Sequence, residues 1–437
     1  MAKKIGVLIF PGTNCENETV RSLTIAGAKP EIIRWNDDKA QFKNYDGFII
    51  PGGFSYEDRG RSGVVAAKDP VMNKIEKEAL KGKPVLGICN GAQILVESGF
   101  IPGLQFRRLE MALTYNERTY KGKIMGTGFY NDWINIKADA PKNRSAFNRF
   151  STKKIMRIPI AHGEGRFHTA DEKMLEKLIK NNQTLFRYCD DHGKYDQNFP
   201  VNPNGTTYNL AGVCNLEGNI LALMPHPERT SNGQPVIDSM VDYLSERGKL
   251  KPVIKTKQNT PEKIKLHHHT HQPEIKIHVK MIITDNEERT IESAAKKIGF
   301  PDAMLHKEQY YSIWVSKKKD LLDIATKIIR SGELVNLNKE IPTIIIDKKV
   351  YGYDKNTGLF AKKHKALGNA QYYVVESGNY GGKNAFNKLK PYFTKETIAK
   401  IEKGVFWAIK MKRKTQINKL LQSHLLHNPH ATQLLAC

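Results

Sequence analysis

"PVLGICNGAQIL", residues 84–95, runs an apolar stretch into Gly87-Ile88-Cys89-Asn90-Gly91 and continues as a helix-compatible segment. A strand, a tight turn and a helix in that order form the repeating step of an α/β sheet, and Cys89 stands on the turn. Glycines on either side permit the close packing that such an elbow requires. The turn also sets the thiol at a helix N-terminus, where the helix dipole favours thiolate. Cys89 therefore reads as a nucleophile or, in the plainer alternative, as a buried structural thiol.

Working outward, further short apolar runs share the character of the first. "KIGVLIF", "PEIIRW" and "DGFII" precede it, and "KIMRIPIA", "LAGVCN" and "NILALM" follow, with helical periodicity over 16–26 and 71–80. Apolar runs without strict alternation suit strands covered on both faces. The expected fold is α/β, a doubly wound and mostly parallel sheet spanning residues 1–248, with active-site residues at the carboxyl ends of the strands.

Three strand ends carry chemistry. "PGGFSYEDRGRSG" follows "DGFII", Cys89 follows "KPVLGI", and Pro225-His226-Pro227-Glu228 follows "NILALM". On an extended segment residues i and i+2 share a side, so Glu228 can hold the far ring proton of His226 while the near nitrogen takes a proton from Cys89. Backbone N–H groups of the Gly52-Gly53 pair and of Asn90 would face a tetrahedral oxyanion. Each element alone also has an ordinary structural reading, a buried cysteine or a simple turn. The argument for catalysis is their joint occurrence at strand ends.

Composition narrows the class. The 437 residues are 40% hydrophobic and 26% charged, enough for two or three domains with sizeable cores. The apolar runs are far shorter than the roughly 20 residues of a membrane span, and the N-terminus enters a strand without a cleavage pattern, so a cytoplasmic protein is expected. Five cysteines without a CxxC pair suggest neither a disulfide framework nor a zinc cage, and no metal site is expected. Of the net charge of +24, residues 251–437 carry +17, from 34 Lys and Arg against 17 Asp and Glu. That surface suits an anionic partner or is simply a solvated lysine-rich face.

Together these segments carry a family resemblance. "GICNGAQIL" with "MPHPER" resembles the class I, triad-type glutamine amidotransferases. "FPGTNCENE", "PGGFSYEDRGRSG", "GICNGAQIL" and "IPIAHGEGRF" in combination resemble the glutaminase subunit of phosphoribosylformylglycinamidine synthase, over nearly all of residues 1–248. The resemblance implies a Cys89, His226 and Glu228 triad that hydrolyses glutamine through a γ-glutamyl thioester, with Gly53 and Asn90 at the oxyanion. Gly52, Phe54 and Gln93 would contact glutamine, and His162, Gly163, Glu164 and Gly165 would lie along its amino-acid end, unless His162 and Glu164 merely close a polar strand end on itself. Many relatives place Gly and an aliphatic residue where this chain has Glu57 and Gly60.

Beyond the first domain, residues 249–273 read as a Lys- and Pro-containing linker whose His267, His268, His269 and His271 form an exposed His-rich tract. Residues 274–346 read as a small α+β, βαββαβ-like unit: strands at "EIKIHVKMII", "YYSIWV" and "IPTIII", helices at "EERTIESAAKKIGF" and "DLLDIATKIIRSGEL", and a short strand near Leu305. This order resembles the small accessory subunit of the same synthase. Residues 347–437 form a basic region without a match, in which "YYVVESGNYGGKNAFNKLKPYF" reads as a strand followed by a glycine-rich loop. "TKETIAKIEKGVFWAIKMKRK" reads as an amphipathic helix through Ile398, Ile401, Val405, Ala408 and Ile409.

No P-loop and no acidic magnesium cluster is evident, so no cofactor is expected on this chain; ATP and magnesium belong to a separate synthetase. The expectation is a glutaminase that passes ammonia to that synthetase for conversion of formylglycinamide ribonucleotide to formylglycinamidine ribonucleotide. Membrane and nucleic-acid partners are not expected. The competing readings are a glutaminase serving another synthetase, and a non-catalytic basic scaffold that binds nucleic acid.

Overall fold

The strand β1 (Lys4–Ile9) shows why the apolar runs lack alternation: its four central residues are all buried. After it come α1 (Glu16–Ile25), β2 (Lys29–Arg34), β3 (Gly47–Ile50), α2 (Val64–Ala67), α3 (Val71–Ala79), β4 (Val85–Ile88) and α4 (Asn90–Glu97). Next are β5 (Ala112–Tyr115), β6 (Glu117–Tyr120), β7 (Lys123–Thr127), β8 (Tyr130–Ala138), β9 (Ile155–His162) and β10 (Glu164–His168). The series closes with α5 (Met174–Lys180), β11 (Thr184–Cys189), β12 (Leu210–Cys214), β13 (Ile220–Leu223) and α6 (Gln234–Ser245).

Nine of these strands make one sheet in the order β2-β1-β3-β4-β13-β12-β11-β8-β9, while β5 with β10 and β6 with β7 form separate pairs. From β2 to β13 the neighbours run parallel; from β13 to β9 they run antiparallel. The expected mostly parallel sheet is thus corrected to a mixed one. Strands β12 and β13 are joined by residues 215–219, too few for a crossover helix, so they pair as a hairpin. A run buried on both faces reads the same in either direction, which is why periodicity missed the change. The core is continuous from Ile5, Val7 and Leu8 through Phe48, Leu86, Ile94 and Leu221 to Phe186 and Ile158.

This computed structural model describes residues 2–37, 41–246, 263–316, 320–354, 357–363, 370–393 and 397–436. It divides into two units, 1–260 and 261–437. Most of the expected linker, 249–262, lies outside the described residues. Its remainder joins the second unit: His267 bridges Leu435, and His269 Nε2 lies 2.8 Å from Glu402 Oε2.

The second unit contains β14 (Ile275–Met281), α7 (Asn286–Lys297), β15 (Met304–Val315), α8 (Leu321–Arg330), β16 (Glu340–Ile346), β17 (Lys349–Asp354) and β18 (Leu359–Lys363). It continues with β19 (Ala370–Glu376), α9 (Tyr380–Leu389), β20 (Ile398–Lys410), α10 (Lys414–Gln422) and β21 (Thr432–Ala436). One eight-stranded sheet, β18-β17-β16-β14-β15-β20-β19-β21, spans residues 275–436. A boundary at 346 therefore does not separate two structures. The short strand expected near Leu305 is the first part of β15, giving βαβαβ and not βαββαβ.

The same order of elements then occurs a second time, β19-α9-β20-α10-β21 after β14-α7-β15-α8-β16. In each half the first strand lies between the other two, antiparallel to both, and the halves meet where their long middle strands β15 and β20 pair antiparallel.

Two readings of the C-terminal sequence are overturned. The expected amphipathic helix at 398–409 is β20, a strand between β15 and β19 whose Phe406, Trp407, Ala408 and Ile409 are all buried. Burial on both faces destroyed the alternation, and the remaining spacing mimicked a helix. The glycine-rich "loop" is the start of α9: a side-chain carbon at Gly382 would stand 2.2 Å from the Ile401 carbonyl, so glycine lets that helix lie against β20.

Candidate active site

The carboxyl ends of β1, β3, β4 and β13 converge at one place, as expected of the crevice in an open α/β sheet. Cys89 ends β4 and begins α4 with φ +50° and ψ −105°, a conformation rare for a side-chain-bearing residue. The elbow is held by two close approaches. A side-chain carbon at Gly87 would stand 2.4 Å from the Gly91 carbonyl oxygen, and one at Gly91 would stand 1.9 Å from that of Ile50. Cys89 is 5% exposed, and its thiol donates to the Ala161 carbonyl over 3.7 Å.

His226 and Glu228 flank Pro227, and His226 Nδ1 lies 2.7 Å from Glu228 Oε1 with both side chains buried. The His226 imidazole is within hydrogen-bonding reach of the Cys89 thiol and also of the Cys15 thiol. Burial alone would push its pKa down. The charges of Glu228 and Cys89 and the hydrogen bonds to both cysteine sulfurs outweigh that and hold it well above the ordinary value. Gly52 leaves room for this arrangement, since a side-chain carbon there would stand 2.8 Å from His226 Cε1, 3.1 Å from Cys15 Sγ and 3.4 Å from Cys89 Cβ.

The neighbouring loop is pinned by side chains. Gly53 (φ +150°) bridges Thr13, and the Phe54 N–H donates to the Gly12 carbonyl at 2.9 Å, leaving the Phe54 ring 46% exposed. Asn90, 1% exposed, accepts from the Ser55 N–H at 3.0 Å and donates to Gln93 Oε1 at 2.9 Å. Gln93 Nε2 in turn donates to the Glu164 carbonyl at 2.7 Å. The segment His162–Gly165 therefore adjoins α4.

Within that segment, Asn116 Nδ2 donates to the His162 carbonyl at 2.7 Å, and the Gly165 N–H donates to Asn116 Oδ1 at 3.0 Å. A side-chain carbon at Gly165 would collide with the His162 ring, so this glycine is what lets the ring lie there; Gly163 has only Phe129 backbone at 3.8 Å. Burial and the neighbouring His226 charge lower the His162 pKa to about 3, so it is neutral. Burial raises Glu164 to about 7 with help from Asp58, and burial raises Asp58 to about 6.

Sequence reasoning passed over Asn116, Asp58, Cys15 and Arg229. Arg229 Nη2 donates to Cys15 Sγ at 3.0 Å. Asp58 and Cys15 lie inside motifs already quoted, and Arg229 follows Glu228 directly; only Asn116 sat in a stretch without a signal. Glu57, the departure from the family pattern, is exposed and pairs with Arg59 at 2.8 Å, while Tyr56, Glu57 and Asp58 all take φ near +55°.

The first unit of the chain is similar to known proteins. Residues 2–242 match the family model of the CobB/CobQ-like glutamine amidotransferase domain. The phosphoribosylformylglycinamidine synthase subunit PurQ of Methanothrix thermoacetophila is 44% identical over 261 residues, covering 56% of this chain and 99% of that protein. PurQ of Methanocaldococcus jannaschii is 39% identical over 248 residues, 55% of this chain and 98% of that one. Among solved structures, PurLQS from Thermotoga maritima aligns at 33% identity and TM-score 0.44, covering 56% of this chain and 100% of the matched chain.

Proposed function

The chain belongs, through residues 2–242, to the CobB/CobQ-like glutamine amidotransferase domain family, and from that premise we propose that it is the glutaminase component of a phosphoribosylformylglycinamidine synthase. It hydrolyses glutamine and supplies ammonia to an ATP-dependent synthetase on another polypeptide, in purine biosynthesis. The observation that carries this reading is the 44% identity to a PurQ subunit over 99% of that subunit's length.

In this reading Cys89 Sγ attacks the γ-carboxamide carbon of glutamine, and its proton passes to His226. The oxyanion is met by backbone N–H groups of Gly53 and Asn90. His226 returns the proton to the departing nitrogen, ammonia leaves, and a γ-glutamyl thioester remains on Cys89. Water, deprotonated by His226, then releases glutamate. Glu228 fixes the tautomer and orientation of His226 throughout. Gly52, Phe54 and Gln93 shape the pocket, and His162, Gly163, Glu164 and Gly165 border the amino-acid end, where the acidic Asp58 and Glu164 suit the α-ammonium group.

No cofactor of its own enters these steps; ATP and magnesium serve the synthetase. The second unit acts in the same complex as an accessory element, a role supported by the resemblance of residues 274–346 to the small accessory subunit and by a basic surface suited to an acidic partner face.

The test is glutamate formation by the full chain and by Cys89→Ala, with and without synthetase, ATP, magnesium and formylglycinamide ribonucleotide. Stimulation of the native chain by the complete mixture and an inert variant are expected. Absence of glutamate from the native chain under every condition would overturn the reading.

A further inference from the structure

The steps above leave one thiol of the site without a task. Cys15 is 1% exposed and caps the first helix of the chain, its thiol donating to Asn14 Oδ1 at 3.2 Å while Arg229 donates to the sulfur at 3.0 Å. Donor atoms of Cys15, His226 and Glu228 all lie within 4.8 Å of one another. Among the described residues Glu228 Oε2, in a residue 3% exposed, has no hydrogen-bond partner, although Oε1 holds His226. A buried carboxylate oxygen left unsatisfied is costly, and a cation is one way of satisfying it.

The donor set selects the kind of cation. A thiolate, an imidazole and a carboxylate suit zinc and similar borderline-soft ions, usually in tetrahedral coordination with a fourth position for water or another ligand. Calcium and magnesium take oxygen ligands and would not favour a sulfur. The thiolate and carboxylate bring two negative charges to a divalent ion, with the Arg229 guanidinium 3.0 Å from the sulfur as a positive charge beside them.

We propose that Cys15, His226 and Glu228 form an inhibitory site for a zinc-type divalent cation. On binding, the Cys15 thiol gives its proton to solvent, and a ring nitrogen of His226 ligates in its neutral form. The imidazole is then withdrawn from Cys89, and the glutaminase stops without any change in the nucleophile itself. The inhibitory part of the inference rests on the assignment of His226 as the base; the binding part does not.

The experiment compares the native full-length chain with Cys15→Ser. Zinc is titrated against a chromophoric chelator, and in parallel against glutamate formation. The native chain should bind one equivalent more tightly than the variant, and His-rich segments contribute equally to both. Loss of a ligand should weaken inhibition by no less than the roughly 10–100-fold typical of losing an outer-sphere partner, and a chelator should restore activity. Equal zinc binding by the two proteins overturns the site. Cobalt added to Cys89→Ala gives a reading independent of the serine variant's folding: sulfur-to-cobalt charge-transfer absorption is expected, and its absence overturns Cys15 as ligand. A native chain inactive without zinc would instead count against the glutaminase reading, while the binding titration still decides the site.

Discussion

The Gln93 side chain donates to the backbone carbonyl of Glu164 across 2.7 Å, tying the helix behind the nucleophile to a strand 71 residues further along the chain. Both ends of this amide are engaged within the protein, since Asn90 donates to its oxygen. Gln93 thus acts as a buckle. Gln93→Ala should cost about 1–3 kcal/mol in denaturant unfolding and raise the KM for glutamine more than it lowers kcat. A kcat loss at unchanged KM would instead give Gln93 a part in the chemical step.

Glu228→Gln should leave glutamine binding nearly intact and lower kcat at least about 100-fold, since an amide can present the wrong group to His226 Nδ1. Steady-state kinetics with the folded variant, checked by circular dichroism, would measure it. Activity within a fewfold of native would remove Glu228 from the triad.

The raised pKa of Glu164, about 7, has two consequences of opposite sense. Its ionised form suits the substrate ammonium, so the KM for glutamine should fall as pH rises through about 7, and Glu164→Gln should flatten that profile. Stability runs the other way. Because the folded pKa lies above the ordinary value of 4.5, the contribution of this group is complete below about 4.5 and is lost as pH rises through about 7. The variant should accordingly gain melting temperature relative to native at pH 8 and not at pH 4. Parallel melting curves at the two pH values test the sign.

Gly91→Ala places a carbon 1.9 Å from the Ile50 carbonyl oxygen, a backbone atom that cannot step aside. Destabilisation above about 3 kcal/mol is expected, with loss of glutaminase in whatever remains folded, because the strained φ of Cys89 depends on that contact. Near-native stability would show that the elbow relaxes.

In the second unit, buried His278 Nδ1 lies 2.8 Å from Glu308 Oε2, and His306 Nε2 lies 3.2 Å from Oε1 of the same carboxylate. Glu308→Ala removes the carboxylate shared by two imidazoles, of which His306 keeps Glu288 and His278 keeps the Tyr373 hydroxyl, and should cost about 1–3 kcal/mol. Faster amide hydrogen exchange across β14 and β15, with β1 and β3 unaffected, would localise the loss.

The legible parts of the molecule were those where a residue type is forced by geometry. Cys89 between Gly87 and Gly91 announces an elbow because only glycine fits those contacts; His226 and Glu228 do pair, but across a 3-10 turn at Pro227–Arg229 and not on the extended segment expected from the sequence. What stayed hidden depended on partners distant in the chain. Cys15 meets Arg229 across 214 residues, and no local pattern records that. β20 looked helical because Phe406, Trp407, Ala408 and Ile409 are buried in succession on both faces of the sheet, while its pairing with β15 and β19 is a long-range relation, and the turn from parallel to antiparallel pairing after β13 leaves no mark on a run of uniformly buried residues.

The seam between β15 and β20 joins two like halves that belong to one polypeptide. Were the halves separate chains, their meeting would be a second-order event that weakens on dilution. Covalent continuity makes it first-order, at an effective concentration on the order of millimolar for short flexible connections, whatever the amount of protein present. Every amidotransferase domain therefore travels with one finished eight-stranded sheet, and their ratio is set by translation and not by mass action.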